Sequence, residues 1–387
     1  MSGERPIGRS IVSLGMECED NLWYRTSCKL VKIKRHKLQT CANNCKKSME
    51  LRNKIELLDT KIFDNRKDRS IGLADGRMGH CIYFYHLSRL LHSKDYEQKA
   101  ELMINEIFDQ LVMLKTFDIK TGLAGFGLGF NHLIDNKFVE GNINDVLKDV
   151  DDVLFKQLCN PEKVGETEIS LQLQLIYYFT VRLKTQKKNS ENAYFFREVV
   201  INAINLMSEK IYSLFADEPL SFSMENHAFL SLLTLSQCAE LYKDKISNLL
   251  KDLSSCVLSR IPVSQANRLY LLFAMDRINK KIETKGWYEH IKLLAREIDM
   301  EQIIEEELAD NLFFSKGLSG IYFLLSGLGD FFSREQICKY KNLIATRIEN
   351  SPIWDKLLED EDYLLLNNGL FSGYTGVSLR LNEKLLR

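Results

Sequence analysis

A short phrase recurs four times in this chain of 387 residues: a glycine, two residues, a second glycine and then an apolar run. It lies within residues 74–91, 121–134, 313–328 and 371–381. A glycine pair before an apolar run is typical of a close backbone approach at the start of a buried helix. The recurrence predicts a repeat architecture, because each such unit must bury its apolar face against its neighbours.

The spacing of the phrases indicates how many units the chain contains. Their first glycines are Gly76, Gly122, Gly317 and Gly373. They are 46, 195 and 56 residues apart, and the long interval accommodates four repeats of about 49 residues. Three apolar runs without the glycine pair fill that interval, at 167–183, 221–241 and 264–278. The sequence therefore predicts seven units, each with an inner and an outer helix.

Helical periodicity dominates the rest of the chain. Only 5 prolines occur, and we find no convincing run of alternating strand residues. The predicted outer or flanking helices are 46–63, 99–117, 143–159, 196–215 and 290–308. These features predict an all-α protein, either an open solenoid or a closed ring. The glycines are expected to leave free N–H groups of the inner helices at one shared end.

Composition restricts the class of partner and the compartment. The formal net charge is −1, which gives no electrostatic basis for nucleic-acid binding. No apolar run reaches 18 residues, and the first residues lack the apolar core of a signal peptide, so we predict a cytoplasmic protein without membrane insertion. Residues 1–45 differ from the repeats, with a basic run at 29–39, and are interpreted as an extension, disordered or partly helical. Residues 46–387 form the predicted repeat domain.

The repeated phrase resembles that of the lanthionine synthetase C-like family. The most specific stretch is TGLAGFGLGFNHLIDNKFVEGNINDVLKDVDDVL, residues 121–154. The resemblance implies an α/α-toroid, a double ring of seven inner and seven outer helices. It also implies peptide chemistry, since active members bind zinc and add a cysteine thiol of a ribosomally made peptide to a dehydrated serine or threonine.

The sequence departs from this family at the residues that the resemblance assigns to zinc. The family's ligands are a cysteine at the head of the fifth inner helix and a Cys-His pair before the sixth glycine. Here Ser315 and Lys316 precede Gly317, and the fifth unit has Pro262–Gln265, with Cys256 expected on the preceding helix. Serine is a poor zinc ligand and an ammonium group repels the cation, so we predict no metal and no cofactor.

Six residues near the predicted helix starts are substrate-binding candidates. They are Asp75, His80, Glu225, His227, Ser315 and Lys316. Most have a competing structural interpretation: Asp75 and Ser315 as helix caps, and His227 in a capping cluster with Glu225 or Asn226. Lys316 either carries a positive charge in place of the metal or lies solvated at the rim. His86 and His132 are interpreted as helix-internal residues.

Three functions remain compatible with the sequence. The leading hypothesis is a zinc-free pseudoenzyme that binds a peptide substrate or a peptide-maturation enzyme. The alternative is an active metal-independent enzyme on the toroid, either a thioether cyclase or a glycosidase-like enzyme. A glycosidase would need two opposed carboxylates, for which Asp75 and Glu225 are the candidates. The third is a structural scaffold.

Overall fold

The computed structural model describes residues 38–159, 166–208, 211–212, 215 and 226–385. No β-strand occurs in these ranges, and none of their helices is both long and apolar enough to cross a bilayer. The all-α prediction is confirmed. In chain order the α-helices are α1 (Leu38–Asp64), α2 (Arg77–Leu91), α3 (Lys94–Gln110), α4 (Leu123–Asp135), α5 (Ile143–Val146), α6 (Lys148–Leu158), α7 (Glu166–Lys184), α8 (Glu191–Met207), α9 (His227–Cys238), α10 (Lys243–Leu258), α11 (Gln265–Asn279), α12 (Trp287–Arg296), α13 (Met300–Gln302), α14 (Leu318–Leu325), α15 (Arg334–Glu349), α16 (Ile353–Glu359), α17 (Glu361–Leu366) and α18 (Tyr374–Leu385).

The inner helices form a closed ring. They are α2, α4, α7, α9, α11, α14 and α18, and each packs against the next. Helix α18 packs in turn against α2, which closes the circle and excludes an open solenoid. Helices α3, α6, α8, α10, α12 and α15 each cover the inner helix that precedes them, and α1 packs against α16. The fold is the predicted α/α-toroid.

Burial patterns explain why the two layers differ in sequence. In α2 every residue from Arg77 to Leu87 is buried, and in α4 every residue from Leu123 to Leu133. An inner helix packs on both sides, so its apolar character extends around the helix. Outer helix α3 instead buries one stripe, with Tyr96, Ala100, Met103, Ile104 and Ile107 inside. This spacing is that of an amphipathic helix.

The four glycine phrases form one recurring turn. The first helical amide donates to a carbonyl seven residues earlier. These bonds are Arg77 N to Ser70 O (2.8 Å), Leu123 N to Thr116 O (3.0 Å), Leu318 N to Asn311 O (2.8 Å) and Tyr374 N to Asn367 O (2.9 Å). The expectation of free N–H groups was therefore wrong for these first amides, because the preceding turn accepts them.

The second glycine of each phrase is required by close backbone contact. A Cβ atom there would lie close to a carbonyl oxygen six residues earlier. The separations would be 2.3 Å for Gly79 and Leu73, 2.1 Å for Gly125 and Ile119, 2.4 Å for Gly320 and Phe314, and 2.0 Å for Gly376 and Leu370. No side chain fits at such distances, so only glycine allows the helix to start against this turn.

The units without glycine pairs begin differently. Helices α7, α9 and α11 lie where the three further units were predicted. Asn226 caps α9, its Oδ1 accepting from Ala228 N at 3.0 Å and Phe229 N at 3.2 Å. Ser264 caps α11, its Oγ accepting from Asn267 N at 3.3 Å. At α9 and α11 a side chain performs the task that the glycine turn performs in four other units.

Several predicted helix boundaries were wrong. The segment predicted as one helix at 290–308 contains α12, α13 and a π-helical turn at Ile303–Glu307, because Asp299 caps a new start by accepting from Glu301 N and Gln302 N. The segment 143–159 is divided into α5 and α6 at Leu147. Helix α1 begins at Leu38, within the predicted 1–45 extension, and the domain boundary itself stays a prediction.

A buried carboxylate joins α1 to the place where the ring closes. Asp59 on α1 is 1% exposed and accepts hydrogen bonds from three tyrosines. Its Oδ1 accepts from Tyr83 Oη on α2 at 2.8 Å and from Tyr374 Oη on α18 at 3.1 Å. Its Oδ2 accepts from Tyr96 Oη on α3 at 2.8 Å. Burial raises the pKa of Asp59 to about 6, although the three hydroxyls oppose the shift.

Candidate functional site

The starts of the sixth, seventh and first inner helices are linked by their backbones. Ser315 N donates to Phe371 O at 3.0 Å, and Phe371 N donates to Ala74 O at 2.9 Å. The segments that carry Ser315, Lys316, Asp75 and His80 therefore meet at one end of the ring. The structure brings these four predicted site residues to one region.

Asp75 binds a backbone amide of the seventh unit and does not cap α2. The N-cap of α2 is Gly76, with no side-chain cap. Asp75 Oδ1 accepts from Ser372 N at 3.0 Å, and Asp75 Oδ2 forms an ion pair with Lys120 Nζ at 3.0 Å. The capping prediction for Asp75 was wrong because its partner lies almost 300 residues away in sequence, beyond the reach of local pattern reasoning.

His80 is wholly buried between α2 and the turn before α18. Its Nε2 donates to Asn368 O at 2.9 Å, and Thr375 Oγ1 donates to the same carbonyl at 3.0 Å. Within the described ranges, His80 Nδ1 and Asn368 Oδ1 have no hydrogen-bond partner. Burial lowers the pKa of His80 to about 4, so the imidazole is neutral at pH 7. His80 therefore joins α2 to the turn before α18, where the ring closes.

Ser315 and Lys316 differ sharply in exposure. Ser315 is 4% exposed and Lys316 is solvent-exposed. The N-cap of α14 is Gly317, again without a side-chain cap, so the prediction that Ser315 caps this helix was wrong. The glycine turn already satisfies the first amides of α14, and the Ser315 backbone is used to contact the seventh unit. The exposed position of Lys316 fits a side chain at the rim.

The fourth unit is only partly described. Glu225 lies outside the described residues, and the structure describes the backbone of His227 as the first residue of α9 but not its side chain. The capping role of Asn226 is confirmed. The opposed pair of Asp75 and Glu225 that a glycosidase would require stays untested.

Sequence reasoning missed Glu307, which lies at the head of the fifth inner helix. Its Oε1 accepts from Gln265 N at 2.8 Å, and its Oε2 accepts from Ala266 N at 2.9 Å and Ser264 Oγ at 2.7 Å. A carboxylate is stabilised at a helix N-terminus by the free amides and the helix dipole. In the sequence Glu307 is one of three consecutive glutamates, and nothing there distinguishes it from a solvated acid.

The donor set at these helix starts does not fit zinc. The positions that the family resemblance assigns to ligands carry a hydroxyl at Ser315, an ammonium at Lys316, and a hydroxyl and an amide at Ser264 and Gln265. Zinc in proteins takes thiolate, imidazole or carboxylate donors. No group of three such residues that could hold a metal ion occurs in the part of the chain that the structure describes. Cys256 lies on α10, the helix before α11, as expected.

Comparison with known proteins supports the fold. No model of a known family and no curated protein matches the sequence. Among solved structures, the chain is similar to nisin cyclase with a TM-score of 0.59 and 14% sequence identity. The match covers 86% of this chain and 93% of that one. At this identity the similarity extends to the fold, a lanthionine synthetase C-like toroid.

Proposed function

We propose that this chain is a zinc-independent member of the lanthionine synthetase C-like group, which binds a peptide during the modification of ribosomally made peptides. A peptide-maturation enzyme is the partner that would deliver that peptide. The proposal rests on one observation above all. The sixth unit keeps the glycine turn of the fold, yet Ser315 and Lys316 precede its glycine where the resemblance expects a Cys-His pair.

The contacts around the site favour binding over thioether chemistry. A thiol must lose its proton to add to a dehydrated residue, and a coordinated metal supplies that activation. His80 is buried and hydrogen-bonded to Asn368, and Asp75 is paired with Lys120 and Ser372, so neither is placed to remove a proton from an incoming thiol. Lys316 is exposed at the same end and can attract a carboxylate of the peptide.

A synthetic peptide that contains one dehydroalanine and one cysteine tests this proposal. Calorimetry should detect binding that is unchanged by EDTA. Iodoacetamide labelling with mass spectrometry should count as much free cysteine after incubation as in a protein-free control. Loss of the free thiol above that control would identify an active cyclase, and absence of binding would reject the peptide function.

A lysine substitution locates the binding end of the ring. Lys316→Ala should weaken peptide binding by roughly threefold to fivefold, the scale of one exposed charge contact. Lys339→Ala is the matched control, because Lys339 is an exposed lysine on α15 that pairs with Glu301 at 2.6 Å. Equal affinities of the two variants would remove Lys316 from the peptide site.

A further inference from the structure

A groove lies at the opposite end of the inner helices from the glycine turns. It is bounded by the last turn of α2, the first turn of α3 and the residues after α4, and its volume is about 340 Å³. Its lining includes Arg89, which lies twelve residues along α2 from Arg77. At 1.5 Å per helical residue, this separation is about 18 Å. The groove is therefore distinct from the site described above.

The groove has a positive lining. Arg89, Lys94 and Lys137 contribute three positive charges, and Glu97 contributes one negative charge. Across the described ranges, neither Lys94 nor Lys137 forms an ion pair. The first turn of α3 also faces the groove, and its N-cap Ser93 makes no side-chain cap, so the positive end of that helix adds to the field.

Arg89 is held in place as part of the groove wall. Its guanidinium carbon lies 3.7 Å from the ring centroid of Phe138, and its Nη2 donates to Asn136 O at 2.7 Å. Tyr85 packs beside the same ring, with centroids 5.3 Å apart. The groove thus combines a fixed cation and an aromatic floor with the two lysines at its edge. Such a combination suits a ligand with both anionic and apolar groups.

The two lysines occupy positions where another residue would favour stability. Lys137 has φ 57°, in the left-handed region that favours glycine over residues with a side chain. Lys94 is the first residue of α3, where the helix dipole favours an acidic residue over a basic one. The φ of Lys137 belongs to the turn that ends α4, in which Phe138 N donates to Leu133 O, and the helix dipole favours a cation there. Lys94 is thus the lysine whose charge its own helix disfavours, and this charge is available to a ligand of the groove.

We propose that this groove binds an acidic peptide segment, with Lys94 and Lys137 pairing with its carboxylates and Phe138 contacting an apolar side chain between them. Separate ammonium groups match separate carboxylates. The Arg89 guanidinium is stacked on Phe138 and its Nη2 donates to Asn136 O, so pyrophosphate is the comparison ligand that tests whether the rest of this fork binds a phosphate instead. This binding site is additional to the peptide site at the glycine turns.

Calorimetry with the full chain and the blocked peptide Asp-Glu-Phe-Glu-Asp tests the groove. The uncharged counterpart Asn-Gln-Phe-Gln-Asn and inorganic pyrophosphate are the comparison ligands. We expect the acidic peptide to bind, more weakly at higher salt, and the uncharged peptide not to bind. Equal binding of the two peptides would overturn the proposal. So would pyrophosphate binding without peptide binding, or no binding of either anion.

Substitutions that preserve the fold assign the binding to this groove. Lys137→Gly should weaken binding roughly threefold to fivefold, and the charge reversal Lys94→Glu roughly fivefold to tenfold. Neither should lower Tm, because glycine suits the φ of Lys137 and glutamate suits the first turn of α3. Lys148→Glu is the control, since Lys148 is an exposed lysine at the first position of another helix, α6. A loss of affinity equal to that of Lys94→Glu would mean that only net charge matters. This result is independent of whether the dehydroalanine peptide binds at the other end.

Discussion

The two halves of the ring start their inner helices by different means. In the first, second, sixth and seventh units, which we call the glycine half, backbone carbonyls accept the first helical amides and the second glycine lies against a carbonyl. In the fourth and fifth units, which we call the side-chain half, Asn226 and Ser264 cap the helices with side-chain oxygens, and Glu307 adds a carboxylate at α11. The residue three positions after the N-cap is glycine throughout the glycine half. In the side-chain half it is Phe229 or Asn267.

This contrast explains why the glycine phrase is absent from the fourth and fifth units. A side chain at the third helical position is forbidden only where the preceding turn packs directly against the helix. Where a side chain provides the cap, that close approach is absent and the position accepts bulk. The glycine half can therefore be recognised from its repeated phrase, whereas the side-chain half shows only apolar runs of helical length.

The largest effect is expected from adding a methyl group in the glycine half. In Gly125→Ala the new Cβ would lie 2.1 Å from Ile119 O and 2.6 Å from Leu73 N, so the backbone must shift. We expect the free energy of unfolding to fall by about 3 kcal/mol or more, as measured by urea denaturation. Gly329→Ala is the control, because nothing lies within 4 Å of its Cβ. Similar stabilities of the two variants would refute the close-packed turn.

Asp59, which is buried where the ring closes in the glycine half, should make the stability of the fold depend on pH. Its folded-state pKa, raised to about 6, means that the folded chain keeps a proton that the unfolded chain loses above its ordinary pKa of 3.8. The contribution of Asp59 to stability is therefore largest below pH 4 and falls by about 3 kcal/mol as pH rises through 6. The stability difference between the natural chain and Asp59→Asn should follow this curve in urea titrations at pH 4 to 7. A difference that stays constant over this range would show that Asp59 titrates normally.

Substitution of Glu307, whose carboxylate lies at the start of α11, tests how side chains stabilise a helix start in the side-chain half. Glu307→Ala removes the acceptor of Gln265 N, Ala266 N and Ser264 Oγ, and we expect a loss of about 2 kcal/mol in unfolding free energy. Glu307→Gln keeps an acceptor without the charge and should lose about half as much. If Glu305→Ala, at an exposed glutamate of the same run, costs as much as Glu307→Ala, the capping role is wrong.

The smallest effect is expected at a conventional cap. Asn226→Ala should cost about 1 kcal/mol, and Asn226→Gly only a few tenths, because glycine tolerates the cap backbone. Thermal denaturation of both variants checks the order. A loss as large as that of Gly125→Ala would mean that the two halves do not differ in the way described.

The sequence predicted the helical repeat because its main signal is local and repeated, whereas the choice of a closed ring over a solenoid came from the family resemblance. The glycine phrases predict the inner-helix starts at Gly76, Gly122, Gly317 and Gly373. Their spacing, together with the apolar runs, predicts the positions of α7, α9 and α11. The roles of Asp75 and Glu307 could not be predicted in this way. Asp75 bonds to Ser372 and Glu307 to residues 264–266, and such pairs become neighbours only after the ring has closed.

Measurement of bound zinc is the sharpest test of the proposal that this chain works without the metal. The purified chain, incubated with excess zinc and then desalted, should retain far less than one zinc per chain by plasma mass spectrometry. The positions before Gly317 and at the start of α11 carry Ser315, Lys316, Ser264 and Gln265, which are not zinc donors. One tightly held zinc per chain would contradict the proposal of a zinc-independent protein and favour metal-dependent thioether chemistry instead.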